Sequence, residues 1–333
     1  MTNYIAYNDK DQIRRDVRSV VLGVAAFILT MSLVSAVVLA VAVVFENMGE
    51  LMQVVEEMDG PMSFESSSQL ADFSIESIGD YIGLASILGM LCGLPWLFLV
   101  RGKKFLTSDV TRVHSKVNIP TISFLFILIL GVQFLMVLIQ TGVEPLFEQT
   151  GGSFTEALEE STASLVSWPW GVLYVVILGP IFEELVFRGA VMRRLERHGA
   201  NFAIIVSSVL FGLYHMILFQ AIFAFFIGLI LAYAAGRFSL KWAILLHMLN
   251  NGLAVLQVHF ALDETFALVV LICYFVAFII TLAVLIAKKR LITAQRRAGA
   301  PLNPRVYAYA FSSPWIIAYL FITTLVAVQL LFI

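Results

Sequence analysis

Residues 19–45 read SVVLGVAAFILTMSLVSAVVLAVAVVF, 27 residues without one charge. A helix needs about 20 apolar residues to cross the hydrocarbon core of a bilayer, so this run reads as a membrane span. Similar runs follow at 81–100, 119–142, 167–190, 201–218, 221–236, 242–260, 265–287 and 314–333. The composition agrees. Of all residues, 60% are hydrophobic and 13% charged, against about 45–50% and about 25% in a soluble globular protein. The expected fold class is all-α, a polytopic transmembrane helical bundle of about nine spans.

The net charge of −2 hides a strong segregation. Apart from Arg188, every lysine and arginine falls in one alternating set of loops: Lys10 to Arg18, Arg101 to Lys116, Arg193 to Arg197, Arg237 with Lys241, and Lys288 to Arg305. The opposite set, 46–80, 143–166, 219–220 and 261–264, has none. Positive charge marks the cytoplasmic side, so the N-terminus is expected in the cytoplasm and the C-terminus outside. Asn201 to Gly236 contains no strong helix breaker. As one helix it would be about 50 Å long, too long for a core of about 30 Å, and two helices with a tight turn near Gln220 are expected. The polar residues before the first span lead into a signal anchor rather than a cleavable leader.

Three segments organise the chain. Residues 1–166 hold the cytoplasmic tail, three spans and the acidic external loop 46–80, with a short amphipathic segment at Leu51 to Met58. Residues 167–260 hold about four spans and the polar groups, and 261–333 the last spans with a basic linker, 288–313, suited to anionic lipid head groups. Cys92 and Cys273 lie within spans and read as buried small apolar residues. His114, His198 and His259 read as solvated. Nothing in the sequence resembles a nucleic-acid-binding element or a phosphate loop.

Ionisable residues inside spans are costly and normally face the bundle interior, where they mark function. Here they concentrate within 183–251: Glu183, Glu184 and Arg188 in the fourth span, His215 in the fifth, and His247 in the seventh, with Asn250 and Asn251 following. Glu184 and Arg188 are four residues apart and can pair on one face. Glu183 is rotated by about 100° and is expected to face a different partner. His247 and Asn251 share one helix face, as do Phe211 and His215. Pro180 removes a backbone donor and is expected to bend the fourth helix beside Glu183.

A carboxylate, two imidazoles and a carboxamide around one cavity are the parts of a hydrolase. The carboxylate can take a proton from water, and the histidines and asparagine can hold the oxyanion formed by attack on an amide. Glu183, His215 and His247 could equally hold a divalent metal such as zinc that activates the water. A proton-coupled transporter would also place Glu, Arg and His in the membrane. A non-catalytic immunity or scaffold protein would keep the fold without the reaction.

The segments EELVFRG (183–189), FGLYH (211–215) and HMLNN (247–251) resemble, in order and spacing, the EExxxR, FxxxH and HxxxN motifs of the CPBP intramembrane proteases, also called Abi or type II CAAX prenyl endopeptidases. The resemblance covers about residues 167–258. It implies hydrolysis of a peptide bond in a peptide or membrane-protein substrate, at a site buried between helices. By motif position, Glu183 would activate water, Glu184 with Arg188 would hold that helix and its charge, His215 and His247 would orient water or stabilise the oxyanion, and Asn251 would complete the oxyanion site. The family leaves both a metal-dependent and a metal-free version open, and the metal-free one needs fewer groups. The charge bias and compact chain suggest a bacterial inner membrane. One geometric conflict follows. His247 lies about 10 Å and His215 about 20 Å from the cytoplasmic end of their helices, so the two meet only if the fifth helix is tilted, starts in the cytosol or is shorter than its apolar run.

Overall fold

The structure, a computed structural model, describes residues 10–46, 48, 52, 79–260, 262–289 and 304–332. The segment expected at Leu51 to Met58, most of the acidic stretch 46–80 and the centre of the basic linker lie outside the described residues. Among the described residues the fold is all-helical. The elements are α1 (Lys10–Glu46), α2 (Gly79–Gly93) with its continuation α3 (Trp96–Arg101), α4 (Ile119–Glu148), α5 (Glu156–Val166), the composite helix α6 (Pro169–His198), α7 (Ala200–Tyr214), α8 (Leu218–Arg237), α9 (Leu240–His259), α10 (Glu264–Ala287), α11 (Pro304–Phe311) and α12 (Pro314–Gln329).

A helix lies within each of the nine apolar runs, but the runs are not equivalent. Six helical stretches are long and apolar enough to cross a membrane, and a seventh forms if α11 and α12, bent by 66°, act as one broken span. Among the described residues, length and composition thus support up to seven spans and do not confirm the expected nine. Two of the expected spans fall short for different reasons. At 15 residues, α7 is about 22 Å long. At 20 residues α9 is long enough, but His247, Asn250, Asn251 and Gln257 dilute its apolar character.

The expected break between the fifth and sixth runs is present, earlier than Gln220. α7 ends at Tyr214, and Met216 takes a left-handed φ of 59°. That conformation is uncommon for a residue with a Cβ, which is why neither glycine nor proline announces the turn. His215 caps the C-terminal end of α7, and it and His247 both lie against the Phe211 ring, so the two histidines do meet.

Close approach organises the packing. α1 runs along α2, α10 along α4, and α7 pairs with α8, which in turn meets α9. At the α7–α8 crossing a side chain at Gly212 would lie 2.6 Å from the Ala221 carbonyl, so only glycine fits. One continuous core runs from Ile13 in α1 through Phe187, Phe211 and Leu231 to Tyr319 in α12, joining all three sequence segments.

Two assignments from sequence are corrected. Cys92 and Cys273 are free and exposed rather than buried. The His198 side chain is not solvated: it is fully buried, with Nε2 2.7 Å from Asp16 Oδ2. Asp16 also accepts from Arg194 Nε at 2.9 Å and from Arg197, so a carboxylate of α1 holds the end of α6. His114 and His259 are exposed as expected.

Candidate active site

The site is built on α6, whose winding is irregular. Wide π turns occupy Tyr174–Leu178 and Leu185–Met192, flanking the regular turns Gly179–Glu184. π turns within α-helices often mark functional sites. The first has a visible cause. Gly179 N–H donates to the Tyr174 carbonyl, five residues back, and Pro180 has no N–H to continue that ladder to Val175. The carbonyl of Val175 is capped from another helix instead: Asn251 Nδ2 donates to it at 2.9 Å. Instead of breaking the span, Pro180 is absorbed in a continuous composite helix, and the expected bend becomes a local widening.

Glu184 and Arg188 pair as their spacing requires, Arg188 Nη1 to Glu184 Oε1 at 2.7 Å, with both side chains fully buried. Arg188 also donates from Nη2 to the Gly228 carbonyl at 3.1 Å and lies over the Phe211 ring, 4.2 Å from its centroid. A side chain at position 228 would come within 3.2 Å of both Arg188 and Phe211, so Gly228 is what lets α8 approach this pair.

The two glutamates do share a partner, against expectation. His247 Nδ1 is 3.1 Å from Glu184 Oε1, and its Nε2 is 3.7 Å from Glu183 Oε2. Adjacent residues on a helix diverge by about 100°, but the two nitrogens of one imidazole lie on different edges of the ring. His247 spans the divergence. Its own surface is almost entirely buried.

His215 and His247 flank Phe211, with ring centroids 4.9 and 5.7 Å from it in edge-to-face arrangement. His215 Nδ1 is 2.9 Å from the Phe211 carbonyl, which belongs to the last turn of α7. Glu183, His215, His247 and Asn251 line one cavity of about 310 Å³, while Glu184 and Arg188 stand behind its wall. Leu158 and Thr162 of α5 line the cavity from another side, and Tyr174 and Tyr214 add phenols to it.

Several of these groups did not stand out in the sequence. Phe211 entered only as a spacing partner of His215, yet its ring touches Arg188 and both imidazoles. Gln133 Nε2 donates to Asn250 Oδ1 at 3.1 Å, and Asn250 Nδ2 donates to Asn251 Oδ1 at 3.1 Å, so a chain of carboxamides runs from α4 to Asn251. The signal for Gln133 was present, since it and Gln140 are the two carboxamides in the apolar run 119–142. Tyr214 sits inside FGLYH and carried no pattern of its own.

Among the described residues no group of three or more His, Cys, Asp or Glu side chains is gathered so as to hold a metal ion. Glu183, His215 and His247 line one cavity, and with Nδ1 of each imidazole turned to a protein oxygen, both Nε2 atoms and Glu183 are the groups that would hold a divalent ion there.

Comparison with known proteins bears on the same segment. Neither the curated proteins nor the solved structures compared with the chain gave a match. Residues 165–253 match a family model described as Type II CAAX prenyl endopeptidase Rce1-like. The match starts just ahead of α6 and ends two residues beyond Asn251, enclosing Glu183, Glu184, Arg188, His215 and His247. Through this segment, a little over a quarter of the chain, the protein is similar to the CPBP/CAAX membrane proteases, and several of its helices are long and apolar enough to cross a membrane.

Proposed function

We propose that the protein is an intramembrane endopeptidase in which Glu183 activates a water molecule for attack on a peptide bond. The observation that carries this reading is the position of Glu183. It is a 9%-exposed carboxylate on the wall of a cavity that it shares with two imidazoles and a carboxamide. Buried in this way, a carboxylate retains a proton affinity suited to taking a proton from water and returning it to the leaving nitrogen.

The neighbours have separate tasks. Glu184 and Arg188 balance each other's charge and anchor the helix that presents Glu183. His247, gripped at Nδ1 by Glu184, keeps Nε2 beside Glu183. His215 orients the water from the other side of Phe211, and Asn251 completes the site for the developing oxyanion. No step is routed through a metal. The substrate is a membrane-associated or leader-type peptide, entering among the helices that surround the cavity. The segregation of lysine and arginine supports a cytoplasmic N-terminus, and the membrane is taken to be a bacterial inner membrane. What favours a protease over a transporter or a non-catalytic scaffold is the match of residues 165–253, which enclose these groups, to a CAAX endopeptidase family model.

Glu183→Gln tests the reading, because it keeps the shape and removes the base. The native chain is expected to process its substrate in cells, and the variant, folded and present in the membrane at equal level, to leave it uncut. Processing at the native rate in the variant would refute the general-base assignment. Metal analysis of the purified protein adds an independent check: stoichiometric zinc lost on changing His215 or His247 would replace the water-and-glutamate scheme.

A further inference from the structure

Water attacking a peptide carbonyl places negative charge on the carbonyl oxygen, and that oxygen must be met by N–H or O–H donors. Neither imidazole is free to be one in its neutral form. A carbonyl oxygen only accepts hydrogen bonds, so the contact from His215 Nδ1 to the Phe211 carbonyl fixes the proton on Nδ1. The neutral ring then presents a lone pair at Nε2. His247 repeats the arrangement: its Nδ1 faces a carboxylate oxygen already shared with Arg188, which again leaves Nε2 as the lone-pair nitrogen. Asn251 has given one of its two amide N–H bonds to Val175.

Tyr214 is placed differently. Its side chain is 9% exposed, and its ring is fixed by Phe187 at 5.4 Å, His215 at 5.2 Å and Phe27 at 6.4 Å between centroids. Among the described residues its hydroxyl is held by the Met31 sulfur, 3.6 Å away. A thioether is a weak acceptor, so redirecting that O–H costs little. The residue lines the same cavity as Glu183, His215 and Asn251. A buried phenol needs a good partner, and both Tyr214 and Met31, whose sulfur holds the hydroxyl, line that cavity.

We propose that Tyr214 is a catalytic hydrogen-bond donor whose phenolic O–H, together with the second N–H of Asn251, binds the oxyanion of the tetrahedral intermediate. This rests on the glutamate-activated hydrolysis described above. In the first step the water oxygen bonds to the carbonyl carbon, the carbonyl π pair moves onto oxygen, and the water proton passes to Glu183. In the second the pair returns, the C–N bond breaks, and Glu183 gives its proton to the departing nitrogen. Tyr214 keeps its own proton throughout and contributes only the hydrogen bond.

The test uses the full-length protein in detergent and an internally quenched peptide, taken from a library of apolar sequences because its cleavage is lost in Glu183→Gln. Tyr214→Phe keeps the ring packing and removes the donor. Its kcat is expected to fall by about 10²-fold, the scale for losing one oxyanion donor, with KM and the thermal unfolding midpoint nearly unchanged. Replacing Tyr214 by 3-fluorotyrosine and 3,5-difluorotyrosine should then move kcat in step with phenol acidity. If cleavage depends on Glu183 but Tyr214→Phe stays within about threefold of native kcat, the proposal fails and the hydrolase reading stands. A fall in Tyr214→Phe with an unchanged fluorotyrosine series would mark a packing role and also overturn it. If no peptide shows Glu183-dependent cleavage, the two fall together.

Discussion

Arg188 has no exposed surface and is engaged three times over, by Glu184, the Gly228 carbonyl and the Phe211 ring. A guanidinium taken out of water is tolerable only with partners in good geometry, and removing one member of a buried pair is far worse than removing both. Arg188→Met is therefore expected to destabilise the protein by about 3–5 kcal/mol, since it strands the Glu184 carboxylate. The double change Arg188→Met with Glu184→Met should recover most of that loss in thermal unfolding while peptidase activity stays absent. Equal instability of the single and double variants would contradict the pair's role as mutual neutralisation. The spacing of Glu184 and Arg188 was legible in the sequence because four residues make about one helical turn. The sharing of His247 between both glutamates was not, because it depends on where another helix delivers its ring.

At the scale of the element, α6 shows how one proline shapes a site without breaking a helix. Pro180 leaves the Val175 carbonyl without a backbone donor, and Asn251 on α9 supplies one. Asn251→Ala should leave a buried carbonyl unsatisfied, at a cost of about 1–3 kcal/mol. Pro180→Ala restores an N–H at the position able to reach Val175. The two changes should therefore couple: the cost of Asn251→Ala is expected to shrink by about 0.5–1.5 kcal/mol in the Pro180→Ala background. Denaturation of the four proteins in one detergent measures this cycle, and strict additivity would exclude the cap. The sequence announced the proline but not its consequence, since a lone proline in an apolar run is silent about who caps the freed carbonyl. α7 carries a similar lesson. Its apolar run extends past the place where the helix ends, and the left-handed Met216 that ends it has no compositional signature.

Across the whole molecule, the catalytic segment is held by helices that lie outside the matched family segment. Asp16 in α1 is fully buried and binds Arg194, Arg197 and His198 at the end of α6. The same end of α1 meets the last helices through Lys10 over Tyr309, at 6.0 Å, and Arg18 over Trp315, at 5.3 Å. Removing the carboxylate would leave two guanidiniums and an imidazole facing one another. Asp16→Ala is expected to lower stability by about 3–5 kcal/mol, although it stands far from Glu183 along the chain. A thermal unfolding midpoint equal to native would show that this end of the bundle is held by packing alone.

The sequence by itself did not place α5 or α11, which lie in stretches read as a loop and a linker. It determined the membrane class, the approximate place of the helices in the nine apolar runs and the pairing of Glu184 with Arg188. These are local properties: apolar run length, charge position and helical periodicity are all contained in neighbouring residues. Only the tertiary structure decided where α7 stops, which protein oxygen Nδ1 of His215 and of His247 faces, and that Phe211, Gly228 and Tyr214 lie beside the motif residues. Those features depend on contacts between helices separated by tens of residues. Hydrogen-bond geometry and close packing exist only once the chain has brought these helices together.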